Sequence, residues 1–164
     1  MLKFFVGIAL IGFTTFCGYL LARKYRKRKD FFRQLREFND RFIGEISYFR
    51  RPIEEFVAIY SYQGDFDALL KSFFYALKFS HTSDRLLLDL SNESFLIEEE
   101  KHLVEDYFLT LGKGDTLSQK SYFSSVKERL IKLESETEKQ AKKYGDLYIK
   151  MGFLFGLLLL ILIV

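Results

Sequence analysis

Residues 4–22, FFVGIALIGFTTFCGYLLA, are 19 consecutive positions without a charge. A backbone placed in lipid must satisfy its own hydrogen bonds, so an apolar run of this length is expected to span as a helix. A cleaved leader would carry basic residues before its apolar core and a small-x-small site after it. Here only Lys3 precedes the core and RKYRKRK follows it, so the expected element is an uncleaved anchor. A second uncharged run, MGFLFGLLLLILIV, covers residues 151–164. Its 14 residues are few for a span, but Tyr148 and Ile149 extend it past Lys150, whose stem reaches the interface. Tyr144 and Tyr148 suit an interfacial belt. The chain is therefore expected to cross a membrane twice.

Charge sets the expected topology. Arg23, Lys24, Arg26, Lys27, Arg28 and Lys29 follow the first run, and Lys139, Lys142, Lys143 and Lys150 precede or enter the second. The positive-inside rule puts both flanks and everything between them in the cytoplasm, with both termini outside. The basic run also forms a surface for anionic membrane lipid. Residues 30–147 hold 17 basic and 22 acidic residues, a net of −5. A net acidic body argues against nucleic acid as a partner. The single Cys17 excludes an intrachain disulfide and a cysteine-based zinc site.

The body reads as helices. Phe31, Leu35, Phe38, Phe42, Ile46 and Phe49 recur at helical steps. Pro52 suits a first helical position, with Ile53, Phe56, Val57 and Tyr60 as the buried stripe and Gly64 as the stop. Asp65 can cap a third helix lined by Phe66, Leu69, Leu70, Phe73 and Leu77. HTSD at 81–84 breaks the chain, and RLLLDL after it is a short helical segment. A helix over 93–111 carries Leu96, Ile97, Leu103, Val104, Tyr107 and Leu111 on one side. In the last helix, Phe123, Val126, Leu130, Leu133, Thr137, Gln140, Tyr144, Leu147 and Met151 step 3-4-3-4 as a heptad seam. The expected fold is all-α: an antiparallel bundle of five to six helices on a two-helix stalk, with a transmembrane helix at each end. The expected divisions are 1–22 as first anchor, 23–29 as basic juxtamembrane segment, 30–147 as cytoplasmic body and 148–164 as second anchor.

Chemistry is hard to find in this pattern. LGKGDTLSQ at 111–119 imitates a phosphate loop, but Tyr107 stands where its first glycine belongs and Gly114 where Ser or Thr should hold magnesium. The plainer expectation is a joint between helices, with Gly112 in a left-handed cap and Thr116 and Gln119 forming a capping box. His81 and His102 stand apart without ligand spacing, and DFD at 65–67 lacks the glycine and distal Glu of a calcium loop. NES at 92–94 matches a glycosylation triplet that a cytoplasmic body would not expose to the enzyme. No catalytic, cofactor or metal residue is expected, and the body is read as non-enzymatic. Glu98, Glu99, Glu105 and Asp106 lie on one acidic arc with His102, which is either solvated surface or a docking face.

The order of blocks carries a resemblance. A basic-flanked anchor is followed by LREFNDRFIGEISYFRRPI, with Glu45, Tyr48 and Pro52, and then by LGKGDTLSQ, with Leu111, Gly112, Asp115 and Gln119. A long helix then runs through KKYGDLYIKMGFLFGLLLLILIV, with Tyr144, Tyr148 and Gly152. This pattern resembles the stage III sporulation protein AB family of endospore-forming bacteria over nearly the whole chain. The resemblance implies a membrane subunit of a secretion-like transenvelope apparatus between mother cell and forespore, in the outer forespore membrane. It implies helices similar to the platform domains of type II secretion and type IV pilus systems. It implies as partners a cytoplasmic secretion ATPase, other membrane subunits and, left open, further copies of the chain; the acidic arc would be the ATPase's docking face. Beside this structural platform stands a second class, a membrane-anchored sensor or ligand-binding helical module, which would carry an apolar pocket with convergent polar groups.

Overall fold

The computed structural model describes residues 2–49, 53–79, 90 and 93–163. These form five α-helices: α1 (Leu2–Gly44), α2 (Ile53–Ile59), α3 (Gly64–Phe79), α4 (Glu98–Thr110) and α5 (Thr116–Ile163). A π-helical stretch, Glu45–Phe49, continues α1. There is no strand among the described residues, and the fold is all-α. The expected roles of Pro52, HTSD, NES and the helical part of RLLLDL before Leu90 lie outside the described residues. Two compact units result: residues 30–134, and residues 1–29 with 135–164.

The first unit is built on aromatic rings. Phe31, Leu35, Phe38 and Phe42 are buried along α1, as their spacing predicts. Phe38 is the hub, with ring centroids 5.5 Å from Phe56, 5.8 Å from Tyr62, 5.9 Å from Phe66 and 6.3 Å from Tyr107. Edge-to-face pairs of this kind add to the area they bury. Phe66, Leu69, Leu70 and Phe73 face the same core, whereas Leu77, near the end of α3, is exposed. Helix α2 stops at Ile59 rather than at Gly64. Gly64 instead opens α3, at φ +63°. Gln34 holds the link between them, its amide nitrogen donating to the Gln63 carbonyl at 2.9 Å and its oxygen accepting from the Gln63 N–H at 2.7 Å. Polar groups join α1 to α5: Arg36 pairs with Glu134 and Asp40, Lys127 lies 2.9 Å from Asp40, and buried Asn39 donates to the Phe123 carbonyl at 3.1 Å.

The second unit is an antiparallel helix pair, the start of α1 against the end of α5. Its contacts run in opposite order: Arg28 donates to Gln140 at 2.7 Å, Tyr25 stacks on Tyr144 and Tyr148, and Gly18, Thr14, Ile11 and Gly7 meet Tyr148, Gly152, Gly156 and Leu160. Both helices are long and apolar enough to cross a membrane. The expected seam holds through Leu130, buried Thr137, Gln140 and Tyr144, then departs, because Leu147 and Met151 are exposed. The contact passes instead to Tyr148, Gly152 and Gly156, at steps of four. Helices in lipid have no hydrophobic drive between them and associate by close backbone approach, which glycine permits.

Candidate functional site

A concave feature of the folded body lies where α1 ends. After Gly44 the backbone widens into the π-helical stretch, a local device common at functional sites. Glu45 follows Phe42 by three positions, shares its inward face and is 5% exposed. Tyr48, in the same stretch, is thrown outward and is 83% exposed. Opposite Glu45 comes the turn between α4 and α5. Leu111 is buried, and Gly112 and Gly114 take φ of +77° and +89°. Those are left-handed values that non-glycine residues seldom adopt, so the turn requires glycine there for conformation, not for space.

These two pieces enclose a cleft of about 310 Å³. Phe42, Ile46, Ile53 and Phe56 give it apolar walls, while Glu45, Thr116 and Gln119 bring polar groups to it. Its size is at the lower end for small-molecule sites. The residues that carry the family resemblance in two separate sequence blocks, Glu45 in one and Gly112 and Gln119 in the other, line this single cleft.

The turn behaves as a joint, with one correction. Gly112 is left-handed, as expected, but Thr116 does not cap α5. Asp115 does, accepting from the Leu117 N–H at 3.1 Å and the Ser118 N–H at 3.2 Å. The Ser118 hydroxyl and these amides hold the Asp115 carboxyl below its usual range. Gln119 makes no capping box; its amide donates to the Lys113 carbonyl at 3.0 Å. A carboxylate accepts more strongly than a hydroxyl, and Asp115 sits one residue nearer the turn, so it wins the position.

The acidic arc lies on α4. This helix starts at Glu98, not at residue 93, and its first turn is Glu98, Glu99 and Glu100, where carboxylates meet the positive end of the helix dipole. Buried Glu100 accepts from the Ile97 N–H at 3.2 Å. Glu98 pairs with Lys101 at 2.9 Å, which lowers its pKa, and Glu105 lies 3.9 Å from His102. Glu98, Glu99 and Asp106 are exposed and Glu105 is half-buried. Leu103, Val104 and Tyr107 face the core behind them, whereas Ile97 is exposed. After the first apolar run, Arg23, Lys24 and Arg26 are exposed, with Arg26 5.7 Å above the Tyr19 ring; Lys27, Arg28 and Lys29 are half-buried.

Sequence reasoning missed the cleft: Glu45 stood out only through the resemblance, with no place in a site. Its spacing from Phe42 was the available signal. It also missed Gly152-x-x-x-Gly156, a close-packing motif legible in the second apolar run.

No curated protein and no solved structure matches the chain at a significant level. The family model for stage III sporulation protein AB matches residues 3–164, from the first apolar run through the cleft-forming blocks to the second. The chain belongs to the stage III sporulation protein AB family.

Proposed function

We propose that this chain is a non-enzymatic, two-pass membrane platform subunit of a sporulation assembly, with its body in the cytoplasm and a secretion-type ATPase docked on it. The observation that carries the reading is the cleft at the end of α1. Two sequence blocks bearing the family pattern converge there, and Tyr48, in the same π-helical stretch as Glu45, faces outward. Exposed aromatics next to a concave apolar wall are the usual anchors of protein–protein contacts. Basic residues flanking both apolar helices support the topology. The acidic arc plays the lesser part in this reading: it steers a basic partner toward the body and sets orientation more than affinity.

The test is retrieval of partners by the full chain from sporulating cells. Thr116 is exposed and lines the cleft, so Thr116→Trp fills it without disturbing the core. The expected result is loss of the ATPase with unchanged helix content. Reversal of Glu98, Glu99 and Glu105 to lysine is expected to slow association at low salt while leaving the complex formed at equilibrium. Full retrieval by Thr116→Trp would reject the cleft as the docking site. Reporter fusions after Leu111 should be active in the cytoplasm; activity outside would reverse the topology.

A further inference from the structure

Asp146 and Lys150 stand four positions apart on α5, both exposed, and neither makes an ion pair or hydrogen bond among the described residues. Glu138 and Lys142, with the same spacing two turns earlier, close on each other at 3.1 Å. The contacts of α5 with α1 run through Tyr144, Tyr148, Gly152 and Gly156. At 100° per residue, Asp146 and Lys150 fall on the opposite side of the helix from that line.

The same contacts set their depth. A Cβ on Gly18 would stand 2.4 Å from the Tyr148 oxygen, and one on Gly152 2.6 Å from the Thr14 oxygen. Lys150 is therefore level with Phe16 on α1, and Asp146 with Leu20, both inside the uncharged run 4–22. That places Lys150 about 10 Å inward of Arg23 along the helix. Ionisable side chains at such a level are costly in lipid and find a partner of opposite charge. The long stem of a lysine bends back toward the interface. Aspartate has a single methylene and stays where its backbone puts it, so Asp146 is stabilised by a cation brought to its own level.

We infer that this face of α5 pairs with the same face of a second copy of this chain. The inference rests on the two-pass reading. Two copies anchored in one membrane hold their α5 helices parallel, and a two-fold axis along the membrane normal sets like surface against like. Asp146 of each copy then meets Lys150 of the other. The two are offset by about 6 Å of helix rise, in the direction in which the lysine stem already bends. Two reciprocal ion pairs result. This self-complementarity selects the occupant: a foreign helix would have to bring an acid and a base in matching order, and the same helix always does. Farther into the apolar run the face continues through Phe153, Leu157 and Ile161 at helical steps, with Phe153 and Ile161 exposed. Polar contacts between helices in lipid contribute about threefold each to association, so two pairs contribute about tenfold.

The test is disulfide cross-linking of the full-length chain in phosphatidylglycerol–phosphatidylcholine vesicles over a series of lipid dilutions. The parent carries Cys17→Ser and Phe153→Cys; Phe16→Cys, exposed on the side of α1 away from α5, replaces Phe153→Cys in the control. The parent should cross-link and the control should not. Asp146→Lys alone, or Lys150→Asp alone, should require about tenfold less lipid for the same yield. Mixing those two variants should restore cross-linking between unlike chains, because one then supplies both cations and the other both anions. Asp146→Asn removes both pairs without adding a charge to the membrane, and should show the same tenfold loss. Equal yields from the parent and Asp146→Asn would overturn the inference, as would variants that fail to rescue each other, the sign of a pair closed within one chain. Cross-linking of the control as strong as that of the parent would also overturn it, since contact would then be random. Extraction of the parent from the vesicles by alkaline carbonate would overturn the two-pass reading, and this inference with it.

Discussion

A Cβ on Gly152 would stand 2.6 Å from the backbone oxygen of Thr14, closer than real Cβ atoms come. Gly18 stands in the same relation to the Tyr148 oxygen, at 2.4 Å. The two apolar helices therefore touch backbone to backbone. Gly12 and Gly145 lie in the same two helices, yet a Cβ there meets nothing within 4 Å. Replacing either by alanine should gain about 0.5–1 kcal/mol of helix stability. Gly152→Ala and Gly18→Ala should change sign and destabilise the pair, because the clash is with backbone that cannot rotate away. Thermal unfolding in micelles and spin-label distances between α1 and α5 check both halves.

Tyr107 is fully buried, and its hydroxyl finds no hydrogen-bond partner among the described residues. Tyr107→Phe should therefore stabilise the body by about 1 kcal/mol at neutral pH. Burial pushes the Tyr107 pKa well above 10, and burial raises Tyr62 as well. The folded state then holds protons that the unfolded chain releases above pH 10. Stability contributed by these groups is present below pH 10 and is lost as pH rises above it. Tyr107→Phe should flatten that alkaline loss in denaturant titrations.

Asp115 gives the opposite slope. Ser118 holds its pKa below the ordinary carboxylate value, so its contribution is present above that value and lost as pH falls through the depressed one. Asp115→Ala should loosen the first turn of α5 at pH 7, seen as faster amide exchange at Leu117 and Ser118, and should match the native chain in acid. Thr116→Ala should change stability by no more than about 0.5 kcal/mol, since Thr116 is exposed surface.

Periodicity made the helices legible, because apolar positions with one burial direction repeat at 3.6. It placed Phe31, Leu35, Phe38 and Phe42 correctly, and also Leu103, Val104 and Tyr107. It failed where two neighbours competed for one role. Asp115 and Thr116 are both capping types, and only geometry decides between them. It failed where an interface changes its rule. A heptad seam reads large apolar residues as contacts, which suits α5 up to Leu130; in its last, apolar stretch the close contacts are at Gly152 and Gly156 instead, so Leu147 and Met151 turn outward. The cleft was illegible for a third reason. Its two halves lie more than sixty positions apart, at Glu45 and Gly112, and no local pattern links a buried carboxylate to a distant left-handed turn.

The claim that a cytoplasmic ATPase docks at the end of α1 is tested most directly at Tyr48, which is 83% exposed in the same π-helical stretch as Glu45. A photoreactive benzoyl-phenylalanine would replace Tyr48 in the full chain in sporulating cells, with a second chain carrying it at Tyr75, exposed on α3, as the reference. After irradiation, the account predicts an adduct with the ATPase from position 48, weakened by Thr116→Trp, and little from position 75. An adduct of equal strength from both positions, or an ATPase adduct from position 75 alone, would contradict it.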